Sequence, residues 1–330
     1  MKPGAGRPGK GRKSGGEDGG KAGRYLGDAL GQRSGLKSDP KSDPKSGPKA
    51  GPASALDLAP EIRPGQSVEL LHELHILTRD ARLNQDSRRK LKQVYHLYQF
   101  IEPLLEEVLR EHPVRLVDHG AGKSYLGFIL YDLFFKSRPE AGRIVGIETR
   151  AELVAKSREL AARLGFAGME FLDLTVADSI AAAQLPATVD IVTALHACDT
   201  ATDDAIRFAL AKEARHVVLA PCCQAEVASV LRRHKAEALA ASPLAEIWRH
   251  PLHTREFGSE VTNVLRCLQL EAHGYRVTVT ELVGWEHSLK NELIIATRHQ
   301  QAGRQAAARL TALLDTLGLA DLRERFFVPA

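Results

Sequence analysis

Leu116-Val117-Asp118-His119-Gly120-Ala121-Gly122-Lys123-Ser124 runs from an aliphatic strand into a turn with two glycines. At such a turn the backbone can approach a ligand closely, and the N–H groups of the following helix point outward. Three nucleotide-binding turns compete for it. A phosphate-cradling loop needs a glycine five positions before Gly122, but Val117 occupies that place, so the Gly-Lys-Ser ending is a decoy. A dinucleotide fingerprint needs a third glycine three positions after Gly122, where Tyr125 is found. What remains is an Asp-x-Gly-x-Gly turn with Asp118 at the strand end.

Outward from the turn, the next aliphatic run ends Val145-Gly146-Ile147-Glu148, which puts a carboxylate where it can accept from both hydroxyls of a ribose. The separation of Asp118 and Glu148 suits one intervening helix. Short β-rich runs recur at Val114–Asp118, Arg143–Glu148, Met169–Leu172, Val189–Leu195 and His216–Ala220, with helical stretches between them. That alternation predicts an α/β fold with a parallel sheet covered on both faces. Two further runs, Tyr275–Val283 and Glu292–Thr297, follow without a full helix between them and predict an antiparallel pair at the sheet edge. The expected sheet has seven strands, mostly parallel, with an antiparallel last strand.

Before this core, residues 59–112 read as helical, with Leu91, Val94, Tyr95 and Tyr98 on one face and Asp86-Ser87 as the expected cap. Arg88, Arg89, Lys90 and Lys92 crowd its first turns. They suit a phosphate-bearing substrate, although a solvated face is the commoner outcome for such a run. After the core, residues 300–330 hold Leu310, Leu313, Leu314 and Leu317, the spacing of one more amphipathic packing helix.

Residues 1–58 are glycine-rich and repeat Lys-Ser-Asp/Gly-Pro three times from Lys37 to Pro48, a composition expected to be disordered. The whole chain carries a formal net charge of +4. The first 50 residues account for all of that excess, and the remainder is slightly acidic. The tail suits an arm for RNA or another polyanion, or a solubilising segment. We favour the second, because acidic residues dilute its charge and a single aromatic, Tyr25, offers little base stacking. No apolar run reaches the roughly 18 residues of a membrane span, and no signal peptide is visible, so the expected location is cytoplasmic and away from membranes. The four cysteines, Cys198, Cys222, Cys223 and Cys267, are too few and too unevenly spaced for a disulfide framework.

Several stretches resemble one family. They are Asp118–Leu130, Leu195–Asp203, Ala220-Pro221-Cys222-Cys223-Gln224, Lys290-Asn291, and the Arg-Arg-Lys-Leu-Lys-Gln segment beginning at Arg88. Together they are similar to the S-adenosylmethionine (AdoMet) dependent methyltransferase domain of many bacterial proteins. More distantly, they resemble the glutathione-transferase-C-terminal-domain-containing protein and eukaryotic tRNA ribose methylases. The likeness extends from about Asp86 to Thr297 and implies a Rossmann-like class I methyltransferase core at residues 113–299, with AdoMet as cofactor.

Carried onto this sequence, the resemblance implies that Asp118, Gly120 and Gly122 line the methionine side, with Lys123 in the same turn. Glu148 would hold the ribose, and Asp173 would flank the adenine. His196, Cys198 and Asp199 would lie beside the methyl group, His196 or Asp199 serving as general base where the acceptor must lose a proton. His196, Cys198, Cys222 and Cys223 together admit three readings: an acceptor pocket, a zinc site or inert packing. The first is preferred and no metal is expected, since adjacent cysteines seldom serve one metal and CxxC spacing is absent. The missing Asn/Asp-Pro-Pro-Tyr/Phe motif after the fourth strand argues against the usual base N-methylation arrangement. Expected acceptors are RNA, tRNA among them, or else a small molecule or protein. A non-catalytic binding module is disfavoured by the intact Asp118, Gly120, Gly122 and Glu148 set.

Overall fold

A computed structural model of the chain describes residues 60–78, 82–195, 197–221, 224–233, 243–282, 291–299 and 303–327. The expectations placed on the tail at residues 1–58 and on His196, Cys222, Cys223 and Lys290 therefore lie outside the described residues. By internal contacts the chain divides into Met1–Pro52 and Ala53–Ala330, and all described residues belong to the second unit. Among them no helix is long and apolar enough to cross a membrane.

The predicted strands form as β1 (Val114–His119), β2 (Gly142–Glu148), β3 (Met169–Asp173), β4 (Ile191–Leu195), β5 (His216–Ala220), β6 (Tyr275–Glu281) and β7 (Glu292–Arg298). They make one sheet in the order β3-β2-β1-β4-β5-β7-β6. β7 runs antiparallel to both neighbours, and the β1–β2, β1–β4, β2–β3 and β4–β5 pairs are parallel. This is the mostly parallel α/β sheet with an antiparallel last strand that the sequence predicts, with the strand order reversing direction between β1 and β4. Ligands of open α/β sheets lie at such a reversal, outside the carboxyl ends of the strands.

The inner strands are aliphatic almost throughout because both faces are covered. Leu116, Ile144, Ile191 and Val218 pack into one core, and Val117, Val145, Val192 and Val217 into another on the opposite face. The edge strand β6 is instead exposed at Arg276, Thr278, Val279 and Glu281. A third apolar cluster joins α7 (Glu226–Arg233) and α8 (Pro251–Ala272) to α9 (Arg304–Thr316), where Leu310 and Leu314 are buried as their spacing predicts.

The helical segment before the core departs from expectation in two ways. It is divided into α1 (Val68–Glu73) and α2 (Gln85–Leu109), and the cap of α2 is Asn84 rather than Asp86-Ser87. Asn84 has extended backbone (φ −86°, ψ 179°), and its Oδ1 accepts from the Ser87 N–H at 2.8 Å. Asp86 consequently falls within the first turn, where its charge still suits the positive end of the helix dipole.

Candidate active site

After β1 the chain turns through Gly120 (φ 65°), Gly122 (φ 58°) and Ser124 (φ 50°) before entering α3 (Tyr125–Leu130). Left-handed backbone is free for glycine but costs other residues about 1–2 kcal/mol, so Ser124 must be held there. Two hydrogen bonds hold it. Its N–H donates to the Ala121 carbonyl at 2.7 Å, and its hydroxyl donates to Asp118 Oδ2 at 3.1 Å. The Thr193 hydroxyl of β4 donates to Asp118 Oδ1 at 2.8 Å. The Asp118 carboxylate therefore points inward and ties the turn to the neighbouring strand. Burial pushes its pKa up to about 6, against the opposing bonds from Thr193, Ser124 and the Gly127 N–H.

Across the turn, Glu148 ends β2 with its carboxylate beneath Gly122. Oε2 accepts from the Gly122 N–H at 2.8 Å, and Oε1 from the N–H groups of Thr149 (3.0 Å) and Arg150 (3.1 Å). The Arg150 guanidinium closes the set, Nε to Oε1 at 2.9 Å and Nη2 to Oε2 at 3.0 Å. Burial pushes this carboxyl upward, but the Arg150 fork and the backbone donors outweigh it, leaving the pKa below the usual carboxylate range. Asp173 pairs in register with Glu148 at the end of β3 and is exposed. Lys123 is exposed as well. Asp118, Gly120, Gly122, Glu148 and Asp173 are thus gathered at the carboxyl ends of β1 to β3.

His119, between Asp118 and Gly120, is buried (4% exposed) beside Phe208 of α6 (Ala201–Ala211), with ring centroids 5.2 Å apart. Neither ring nitrogen has a hydrogen-bond partner among the described residues. Burial holds its pKa down to about 4, although Glu148 pulls it upward, so the ring is neutral at pH 7. Sequence reasoning passed over it because a strand-end position next to a glycine reads as packing.

On the β4 side, a Cβ added to Gly120 would lie 3.5 Å from the Cβ of Ala197, so the two loops flank one space. Cys198 is exposed there. Asp199 takes positive φ (52°), and its Oδ1 accepts from the N–H groups of Ala225 (2.9 Å) and Glu226 (3.3 Å), capping the start of α7. Its carbonyl accepts from Arg266 Nη2 at 2.8 Å. Arg266, 1% exposed, also forks onto Asp203 at 2.7 and 2.9 Å and donates to Asn263 at 3.2 Å. Asn263 accepts from Gln224 (2.8 Å) and donates to Glu292 at the start of β7. No motif announced this network, which links the loops after β4 and β5 to α8. Among the described residues no group of three His, Cys, Asp or Glu is arranged to hold a metal.

A groove of about 790 Å³ opens beside Pro221 and Gln224, between α8 and the β6–β7 hairpin. Glu256, Glu260, Glu271, Glu281 and Glu292 line it together with Arg309, which is paired with Glu271 at 2.6 Å. Burial raises the Glu292 pKa, and nearby Glu260 raises it further, against the Asn263 bond and Arg266.

Residues 89–230 match the family model of the methyltransferase domain, a span that takes in β1 to β5 and the turn at Gly120. No curated protein matches the chain in sequence. Solved structures with similar arrangements include the CMeT domain of the citrinin polyketide synthase (15% identity, 66% of this chain and 58% of that one, TM-score 0.40). Another is the magnesium protoporphyrin IX methyltransferase of Synechocystis PCC 6803 with bound S-adenosylhomocysteine (14% identity, 71% and 95%, TM-score 0.36). A third is an rRNA methylase from Streptococcus thermophilus (10% identity, 60% and 93%, TM-score 0.37). The chain thus spans a little over half of the polyketide synthase domain.

Proposed function

We propose that this chain, an AdoMet-dependent methyltransferase by its domain, binds the cofactor across the Gly120–Gly122 turn and Glu148, and methylates a cationic, nitrogen-bearing acceptor. The carrying observation for the cofactor side is the Gly122–Glu148 contact, which sets a carboxylate below its usual pKa range directly under an open glycine turn. Such a carboxylate is ionised at pH 7 and suited to two ribose hydroxyls. Asp118, with both oxygens engaged inward, supports the turn rather than meeting the ligand. When bound, the cofactor supplies a methyl group on a sulfonium, already a strong electrophile. Positioning is then the protein's main contribution.

For the acceptor, the glutamate-lined groove at the carboxyl end of β5 supports a cation over a polyanion, because like charges facing one another in a cleft repel. An ammonium must lose a proton before its nitrogen lone pair can attack, and we assign Glu292, with its raised pKa, to take it. Asp199 is then a positioning residue, its carboxylate engaged in capping α7. RNA is the second reading, favoured by the basic start of α2. Two of those charges are already paired, Arg88 with Glu61 and Arg89 with Asp86.

Labelled AdoMet offered with a lysine-rich peptide, spermidine or bulk tRNA separates the two readings. Label in the peptide or polyamine supports the cationic acceptor, whereas label in tRNA alone overturns it.

A further inference from the structure

The carboxylate of Glu148 is saturated by the protein itself. Two oxygens offer about four lone-pair positions, and five N–H donors lie within 2.8–3.1 Å of them. Three of the donors are main-chain groups of Gly122, Thr149 and Arg150, fixed by the turn and the strand end. The other two belong to one side chain, Arg150, which is 59% exposed and anchored through nothing but this carboxylate among the bonds described. A Cβ added to Gly122 would lie 3.7 Å from Arg150 Nη2, so the guanidinium overhangs the second glycine of the turn, in the space its missing side chain keeps open.

From this geometry we infer that Arg150 is a displaceable stopper in the ribose position, whose fork onto Glu148 must open before a nucleoside can bind. The inference rests on the reading that Glu148 receives the ribose. Two hydroxyl donors entering there need two acceptor positions; the Thr149 hydroxyl, 3.4 Å from Oε1, can turn away from that one oxygen, but only the Arg150 side chain can release both oxygens without dismantling the turn. A bidentate pair is geometrically specific, so Lys at this position, with a single point-charge donor, should block less well than Arg. The stopper lowers the affinity of the site for any ligand carrying both ribose hydroxyls.

The test is calorimetric titration of the full chain with S-adenosylhomocysteine and with adenosine. Unlike AdoMet, neither carries a sulfonium, so simple charge repulsion by Arg150 is largely removed. Arg150→Ala should tighten both by about three- to tenfold, with Arg150→Lys in between. 2′,3′-Dideoxyadenosine, which does not need the carboxylate, should bind equally to all three proteins. Unchanged or weaker S-adenosylhomocysteine binding in Arg150→Ala, with an unaltered melting temperature, would overturn the stopper. Equal tightening for dideoxyadenosine would overturn it too, since the gain would then be unrelated to the hydroxyls. Glu148→Ala distinguishes failure of the underlying reading: undiminished binding in that variant removes Glu148, and with it Arg150, from the ligand site.

Discussion

On the β1–β2 side of the site, the key contact joins Gly122 and Glu148, 26 positions apart, and the Arg150 fork spans only two. On the β4–β5 side, Arg266 reaches the Asp199 carbonyl across 67 positions and Asn263 reaches Glu292 across 29. The first half is built from elements consecutive in the chain, β1, the turn into α3 and the end of β2. The second is a tertiary assembly that exists only once α8 has packed beneath the β4 and β5 loops. A substitution at Glu148 or Arg150 in the first half should therefore act mainly on ligand affinity, and one in the second half mainly on folding.

Arg266 is the sharpest probe of that division. Its replacement by Ala would leave Asp203, whose side chain is 4% exposed, as an uncompensated buried charge. The expected cost is about 3–5 kcal/mol in denaturant-induced unfolding. A loss below about 1 kcal/mol would show that the β4–β5 side does not depend on this network.

Asp118 tests the other half by its pH dependence. Its carboxyl titrates at 3.8 when unfolded and at about 6 when folded, so from pH 4 to 6 the unfolded chain has released a proton that the folded chain still holds. Stability from this group is therefore present at low pH, falls by about 3 kcal/mol as pH rises to 6, and stays flat above. The difference between wild type and Asp118→Asn, followed by urea melts across pH 4 to 7, should trace that fall; a flat difference would contradict the burial of the charge.

The β1–β2 side was legible because its chemistry forces residue types. Positive φ at Gly120 and Gly122 calls for glycine, and a carboxylate at the end of β2 is visible wherever an aliphatic run stops at Glu. The alternation of strands and helices was legible for a similar reason, since aliphatic runs such as Val217-Val218-Leu219 are buried on both faces. Asn84 was missed because Asn84, Asp86 and Ser87 can all cap a helix, and the chain's entry angle decides among them. Asp199 looked like a base because its type permits it; only the fold brings the Ala225 and Glu226 N–H groups to its carboxylate. Arg266 and Glu292 lie in helix and strand patterns that conceal polar work, and no spacing rule links them.

Smaller effects refine the contrast. Thr193→Val removes the donor to Asp118 Oδ1 and should cost about 1–2 kcal/mol while raising the Asp118 pKa further. Glu256→Gln, at the open groove, should change stability by less than about 0.5 kcal/mol. It should also weaken binding of a lysine-rich peptide, an effect that added salt would shrink.

The central claim is that a nucleoside ligand is held by Glu148 beneath the Gly120–Gly122 turn. Calorimetric titration of wild type and Glu148→Ala with S-adenosylhomocysteine tests it most directly. The account predicts micromolar binding, about −8 kcal/mol, to the wild type and a loss of roughly a hundredfold in the variant. Equal affinity in the two proteins, or no binding to either, would contradict it.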